Sequence, residues 1–254
     1  MSFPPLTQDF DVGLLVIDAW VLFFIGLLFY LRREDKREGY PLVDERTGEL
    51  KRGWPAYPDK KTFLFEDGST LALPREPNER DTGLSRQRGP ADGTPFVPSG
   101  NPLRDAVGPA SYAARQDHPD VTWEGEPRIL PLRVAKGWSI EPTDPDPRGW
   151  AVVAADGKSP GTITEAWIDQ VEPQVYYWEV ALTGGRTVLL PARLSLIDTD
   201  AKKVLVHSIT AAQFADVPGT KSSSQITLLE EDKISGYFAG GKLYAEPARQ
   251  EPLI

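Results

Sequence analysis

The sequence contains no cysteine and only two histidines, His118 and His207, in 254 residues. The absence of cysteine excludes disulfides, cysteine-ligated zinc, iron–sulfur clusters and thiol catalysis. Two histidines far apart in the chain leave little for a histidine-based metal site. Basic residues are also few, since 28 Lys and Arg stand against 37 Asp and Glu, a net charge of −9. This acidic balance argues against nucleic acid as a partner.

Motifs of catalysis are missing as well. There is no Walker loop and no glycine-rich nucleotide fingerprint after a strand. The stretch Gly157-Lys158-Ser159 looks like the end of a phosphate loop, but Val152 stands where that loop needs a glycine. Neither histidine has a nucleophile elbow nearby. The sequence therefore predicts that the protein is not an enzyme.

One long apolar run is present, from Val12 to Leu31. Twenty helical residues span roughly 30 Å, the thickness of a bilayer's hydrocarbon core. A cleaved signal peptide would need a basic start, a shorter apolar core and a small-residue cleavage site, and all three are missing. Residues 1–11 carry no Lys or Arg, whereas residues 32–38 carry four. Because basic residues stay in the cytoplasm, we expect a periplasmic N-terminus and a cytoplasmic domain.

Asp18 is the one charged residue inside this run. A charge at that depth costs on the order of 2.5 to 3.5 kcal/mol on insertion scales. Two interpretations stay open: the carboxyl reaches the outer interface or is protonated, or it faces another protein and finds a donor there. A plain tether would not need it.

The chain divides into a periplasmic tail at 1–11, a transmembrane helix at 12–31, a juxtamembrane and Pro/Gly-rich region at 32–128, a compact domain at 129–246 and a tail at 247–254. The third region contains one clear hairpin, 62–65 with 70–73 around an Asp-Gly turn. Elsewhere it has apolar residues at intervals along an extended chain, which favours a segment ordered on a partner protein over a disordered one. These residues are Leu84, Phe96, Val97, Leu103, Val107, Tyr112 and Trp123.

The domain at 129–246 is predicted to be mainly antiparallel β, a small closed barrel or sandwich. A short helix over 211–215 is expected to follow. A second helix begins at the capping box Thr227-Leu228-Leu229-Glu230 and should end near Ala239, before two glycines. The predicted strands cover 129–134, 151–154, 161–168, 176–182, 187–190, 194–197 and 204–209.

Several long motifs resemble the H subunit of purple-bacterial photosynthetic reaction centres, in the same order and spacing along nearly the whole chain. They are Leu31–Leu42, Asn101–Leu103, Val107–Tyr112, Asp144–Gly149, Glu230–Lys233 and Tyr237–Ala245. The resemblance implies one membrane helix beside the L and M subunits and a cytoplasmic PRC-barrel-like antiparallel barrel with short C-terminal helices. It places the chain in the bacterial inner, intracytoplasmic membrane.

The resemblance also implies a role. The H subunit covers the cytoplasmic face of L and M, stabilises the complex and carries protons to the secondary quinone. The chain itself would bind no cofactor, while the complex would hold bacteriochlorophyll, bacteriopheophytin, quinones, non-haem iron and carotenoid. Light-harvesting 1 polypeptides, a cytochrome subunit and membrane lipids are further candidate partners.

Candidate proton-transfer residues follow from the same resemblance. The family's relay acid comes after a Trp-x-Asp element, here Trp167-Ile168-Asp169, and an ungapped count reaches Glu172, with Asp169 as its neighbour. Some members carry an arginine four residues later, where this chain has Tyr176. Some carry surface histidines at positions that are Glu124 and Glu126 here, so protons would come in at these glutamates or at His118. From the residues alone, Glu172 would be a solvated turn residue before Pro173, and Glu124, Glu126 and His118 would be ordinary surface residues.

An alternative function stays open at this stage. A membrane-tethered PRC-barrel scaffold or assembly protein, without a permanent photosynthetic role, would have the same anchor and domain. The first function requires co-purification with bacteriochlorophyll and quinone, whereas a scaffold would be colourless and separable.

Overall fold

A computed structural model describes residues 11–39, 42–43, 49–51, 53–74, 84–86 and 96–250. Most of the two predicted tails lies outside this part of the chain. The chain forms two compact units by its internal contacts: residues 1–80 with 88–95, and residues 81–87 with 96–254.

The first unit begins with helix α1, Val12–Glu34, which buries none of its residues. Asp11 caps its N-terminus, where the carboxylate accepts the backbone N–H of Leu14 at 3.1 Å. The helix and the turn after it, Val12–Arg37, are long and apolar enough to cross a membrane, with a mean hydropathy of 2.5. The predicted anchor helix is therefore present, and its apolar side chains are free to face lipid.

The basic residues after the helix divide into two groups. Arg32 and Arg33 are exposed, as expected for residues near lipid headgroups. Lys36 is buried, with its ammonium 2.5 Å from the carbonyl of Pro55. Arg37 donates to the carbonyls of Asp59 at 2.6 Å and Leu73 at 3.2 Å. The second group therefore holds the following chain in place.

Among the described residues before position 100, three pairs of short antiparallel strands are present. The predicted hairpin is confirmed, and Thr70–Leu73 pairs with Lys61–Leu64 in register. In chain order the strands are β1 (Leu42–Val43), β2 (Leu50–Lys51), β3 (Lys61–Leu64), β4 (Thr70–Leu73), β5 (Leu84–Arg86) and β6 (Phe96–Pro98).

A seven-stranded sheet forms the second unit, in the order β11-β10-β9-β8-β13-β12 with β7 also paired to β9. β9 and β10 form the long central hairpin, and β7 pairs with the last three residues of β9. The strands are β7 (Ile129–Pro131), β8 (Ala151–Val153), β9 (Gly161–Asp169), β10 (Gln174–Leu182), β11 (Thr187–Pro191), β12 (Leu196–Asp198) and β13 (Lys203–Leu205).

Two features of this sheet differ from the prediction. β8 and β13 pair in parallel, so the sheet is not purely antiparallel. A parallel pair needs a long crossover, and β9 to β12 provide it. The sheet is also open among the described strands, because the end strands β11 and β12 do not pair with each other. The expected class, one apolar helix followed by a mainly β domain, is confirmed.

Helix α2, Leu228–Tyr244, covers the domain, and its predicted capping box is present at Thr227 and Glu230. The predicted end near Ala239 is wrong. Gly240 and Gly241 continue the helix because they permit close packing: a Cβ on Gly240 would lie 2.7 Å from the Cα of Ala110. The predicted helix over 211–215 is a 3₁₀ helix at Ala212–Asp216.

Part of the Pro/Gly-rich region also belongs to this core. Leu103, Val107 and Ala110 are at most 4% exposed, and Gly236 of α2 approaches the carbonyl oxygen of Ala110. Leu103 and Val107 were expected on the surface of a partner, but they are buried in this chain. Trp123 fits that expectation better, since it is 92% exposed.

Candidate functional site

Asp169 is the last residue of β9 and is completely buried. The Arg128 guanidinium holds its carboxylate, with Nη2 at 2.6 Å from Oδ2 and Nε at 3.0 Å from Oδ1. The backbone N–H groups of Val171 and Glu172 donate to the same Oδ1 at 2.9 and 3.1 Å. Asp169 therefore caps the β9–β10 turn and forms a fixed ion pair with Arg128.

The charge state of this pair follows from its contacts. Burial acts to raise the pKa of Asp169, but the hydrogen bonds from Arg128, Glu172 and Val171 outweigh it, and the net pKa is lowered. Asp169 in turn raises the pKa of Arg128. Both groups stay charged at neutral pH, so Asp169 is poorly suited to exchange protons there.

Glu172, the predicted inner acid, lies in the exposed turn after β9. Its side chain is 62% exposed, and one carboxylate oxygen lies 3.6 Å from Nη2 of Arg128. The other oxygen accepts a hydrogen bond from Gln174 at 3.0 Å. The structure therefore brings Glu172 and Asp169 to one arginine, with Glu172 on the water side.

A second carboxylate near this arginine is that of Glu231, which is half-buried. It projects from the first turns of α2 into a cavity of about 120 Å³ that Asp169 and Arg128 also line. Asp120 contacts Arg128 at 3.4 Å in the same place. The complete lining is Arg115, Asp120, Arg128, Ile129, Asp169, Tyr176, Leu228 and Glu231.

Glu231 has the proton affinity that Asp169 lacks. Burial raises its pKa to about 7, with Asp120 and Asp169 adding to the rise and Arg115 and Arg128 opposing it. The sequence analysis missed Glu231 as a candidate, although it belongs to the motif Glu230–Lys233. In the sequence it looks like a first-turn acid beside a capping box, and only the fold shows that it lines a cavity with Asp169 and Arg128.

Tyr176 lies four residues after Glu172, at the position where some proteins of the resembled family have an arginine. Arg193 lies over the Tyr176 ring, 5.6 Å from its centroid. Arg193 is therefore the cation beside Tyr176, but it does not line this cavity.

The proposed surface residues do not line the cavity. Glu124 and Glu126 are exposed in the turn that joins Val121 to Pro127. His118 is exposed too, and its ring nitrogens contact the Gln116 side chain at 2.6 Å and the Pro119 carbonyl at 3.0 Å. They are surface residues of the segment that leads to Arg128, and a role for them stays a prediction.

Asp18 lies on the exposed surface of α1. Within the described residues it has no hydrogen bond or ion pair, so both interpretations of its carboxyl stay open. No group of three acidic or histidine side chains in the described part of the chain is placed to hold a metal.

The fold and the sequence together define the class of a membrane-anchored protein with a PRC-barrel domain. Residues 142–213 match the PRC-barrel domain family. Residues 4–134, just over half of the chain, match the family described as photosynthetic reaction centre, H-chain N-terminal region. The chain belongs to the photosynthetic reaction centre H-chain family. The match to that N-terminal region favours a reaction centre subunit over a general PRC-barrel scaffold.

Membership of this family has direct consequences. The H chain is, as a family, a non-enzymatic subunit of the photosynthetic reaction centre, and membership implies a membrane-anchored chain that associates with the L and M subunits. It also supports the expectation that the pigments and quinones belong to the complex and that this chain binds no cofactor itself.

Proposed function

We propose that this H chain covers the cytoplasmic side of L and M and conducts protons to the secondary quinone through the cavity beside Arg128. Reduction of a quinone to a quinol takes up two electrons and two protons. A quinone buried in protein therefore needs a proton route from water. The observation that carries the proposal is Glu231, a carboxyl with a pKa of about 7 beside a fixed ion pair.

The two glutamates have different roles in this proposal. Glu172 is exposed and exchanges protons with water, whereas Glu231 is half protonated near neutral pH and holds the proton inside. A carrier works best when its pKa is close to the working pH, because it must both accept and release the proton. The cavity of about 120 Å³ has room for a few water molecules that would join the two carboxyls.

Asp169 and Arg128 are positioning residues in this route. They stay charged and carry no proton, but their pair fixes the turn that bears Glu172 and one wall of the cavity. Glu124, Glu126 and His118 would collect protons at the surface, where one residue easily replaces another.

The membrane arrangement is part of the proposal. The N-terminus would be periplasmic and the PRC-barrel domain cytoplasmic, because four basic residues follow α1 and none precede it. Lipid headgroups would lie near Arg32 and Arg33, the exposed pair of that basic segment. Light-harvesting 1 polypeptides and a cytochrome subunit are candidate partners of the larger complex.

The rate of the second flash-induced electron transfer to the secondary quinone tests this proposal in purified reaction centres. Glu231→Gln and Glu172→Gln keep the shape of the side chain and remove its titration. The first electron transfer should change little, because it does not need a proton. The second should slow, more so at higher pH, by about 10² or less, since water can bypass one carboxyl.

Glu141→Gln is the matched control, because Glu141 is an exposed glutamate of the same domain away from the cavity. It should leave both transfers unchanged at every pH. Rates for Glu231→Gln and Glu172→Gln equal to those of the control across the whole pH range would refute the proposed route.

A further inference from the structure

A second pocket lies in the second unit, residues 81–87 with 96–254, which we call the PRC-barrel unit. Its charged side chains are basic, whereas the proton site contains carboxylates. The volume of the second pocket is about 410 Å³, and it opens to solvent between the segment that joins β11 to β12, the segment after β13 and the C-terminal end of α2. Its lining is Arg193, Leu194, Ser195, Leu196, His207, Ser208, Lys242 and Arg249. In a chain with a net charge of −9, a pocket with three cationic side chains, one histidine and no carboxylate is unexpected.

Two of these cations have no acidic partner among the described residues. The Arg193 guanidinium contacts only the neutral Gln174 side chain, at 3.3 Å, and the Tyr176 ring. Lys242 is exposed on the last turn of α2 and makes no ion pair in the described part of the chain. Unpaired positive charges that converge on one pocket attract an anion.

Arg249 differs from these two cations, because its guanidinium is paired and holds the lining segments of the pocket together. Its Nε pairs with Glu246 at 3.0 Å, and its Nη1 donates to the carbonyls of His207 and Ser208 at 2.8 and 3.3 Å. These bonds tie the segment after β13 to the C-terminal end of α2, so the pocket has a built wall.

A buried polar group points to a ligand independently of the charges. Ser208 is 2% exposed, and its hydroxyl has no hydrogen-bond partner in the described part of the chain. Buried hydroxyls are almost always hydrogen-bonded, so an unpartnered one beside a pocket indicates a missing acceptor or donor. The hydroxyl is closed off from solvent, so the Ser208 side chain would have to rotate toward the pocket to donate this hydrogen bond to an oxyanion bound there.

We propose that this pocket binds a phosphate group, with Arg193 and Lys242 as its charged donors. A guanidinium and an ammonium are the side chains that bind phosphate oxygens most strongly. The pocket is larger than a bare phosphate needs, and Leu194 and Leu196 supply an apolar wall. It therefore fits a phosphate monoester that carries an organic group. A free metabolite and an anionic lipid headgroup share this chemistry.

The test is calorimetric titration of purified reaction centres with two probes, inorganic phosphate and short-chain phosphatidic acid below its micellar concentration. Both should bind the parent complex. Lys242→Gln and Arg193→Gln should each weaken both probes about ten-fold or more, because each removes one charge-assisted hydrogen bond. Phosphatidic acid at least ten-fold tighter than phosphate identifies a lipid headgroup as the source, and equal affinities identify a free phosphate compound.

Lys136→Gln is the matched control, because Lys136 is an exposed lysine of the same unit that does not line the pocket. It should leave both affinities unchanged. Thermal unfolding of each variant checks that the fold is intact. The proposal is overturned if neither probe binds at millimolar concentration, or if both still bind equally well to Lys242→Gln and Arg193→Gln.

Discussion

The two units of this chain differ in how far they bury their apolar side chains. Helix α1 buries none of its 23 residues, and the described part of the first unit buries only Lys36, Pro58 and Leu73. The PRC-barrel unit instead has a continuous core, with residues such as Tyr177, Leu190 and Phe238 completely buried. The second unit therefore carries its own folding free energy, whereas the first depends on lipid and on other subunits to cover its surface.

The same contrast holds for charged groups. Basic residues of the first unit make contacts within that unit. Arg37, for example, donates hydrogen bonds to the carbonyls of Asp59 and Leu73. In the second unit, burial raises the pKa of Glu231 to about 7, whereas hydrogen bonds from Arg128 and two backbone N–H groups outweigh burial at Asp169 and lower its pKa. A core therefore does more here than stabilise, because it gives two carboxyls on one cavity different charge states at the same pH.

The largest expected effect is on the core of the PRC-barrel unit. Gly240→Ala places a methyl group 2.7 Å from the Cα of Ala110, and α2 can move away only by leaving its site. We expect a loss of about 3 kcal/mol or more in the free energy of unfolding, measured by chemical denaturation. Gly184→Ala is the control, because a Cβ there meets nothing within 4 Å. Similar stability of the two variants would contradict the tight packing of α2.

A smaller loss is expected at the ion pair. Asp169→Asn leaves Arg128 without its charged partner and should cost about 2 to 3 kcal/mol at pH 6. Because folding lowers the pKa of Asp169, its contribution is present above the unfolded pKa and is lost as the pH falls. The difference from the parent should therefore shrink below about pH 4. Asp144 is exposed, so Asp144→Asn should leave the free energy of unfolding unchanged. A stability difference between Asp169→Asn and the parent that stays constant down to pH 2 would contradict the assignment.

Glu231 should show the opposite pH dependence. Folding raises its pKa from 4.5 to about 7, so the parent chain loses stability as the pH rises through that range. Glu231→Gln cannot ionise and avoids the loss. It should be more stable than the parent by about 1 kcal/mol at pH 8, allowing for partial exposure, and equal to it near pH 4. Thermal unfolding at the two pH values measures this, and greater stability of the parent at pH 8 would refute the raised pKa.

The smallest effect is expected in the first unit. Leu64→Ala removes a side chain that is 76% exposed on β3. The free energy of unfolding of the free chain should therefore change by less than about 0.5 kcal/mol. The same substitution at the buried Leu190 should cost about 2 to 5 kcal/mol. Equal losses for Leu64→Ala and Leu190→Ala would remove the contrast between the units.

Local signals in the sequence predicted much of this fold. The apolar run of α1, the Asp-Gly turn between β3 and β4 and the capping box of α2 each depend on neighbouring residues. Contacts between distant residues were not predictable in this way. The parallel pairing of β8 with β13 and the continuation of α2 through Gly240 and Gly241 depend on chain segments far away in the sequence.

The candidate site shows the same limit. The resemblance led to Asp169 and Glu172, which the structure places on Arg128. The charge state of Asp169 and the presence of Glu231 depend on which side chains become buried together. No spacing in the sequence relates Glu231 to Asp169, because only the fold brings the first turn of α2 and the end of β9 to one cavity.

The central claim is that Glu231 exchanges protons near neutral pH while Asp169 stays ionised. Infrared difference spectroscopy of purified reaction centres, titrated between pH 5 and 9, observes protonated carboxyl groups directly. We predict a carboxylic-acid C=O band that titrates with a midpoint near 7, disappears in Glu231→Gln and persists in Asp169→Asn and in the control Glu141→Gln. A band unchanged by Glu231→Gln, or one lost in Asp169→Asn alone, would contradict the account.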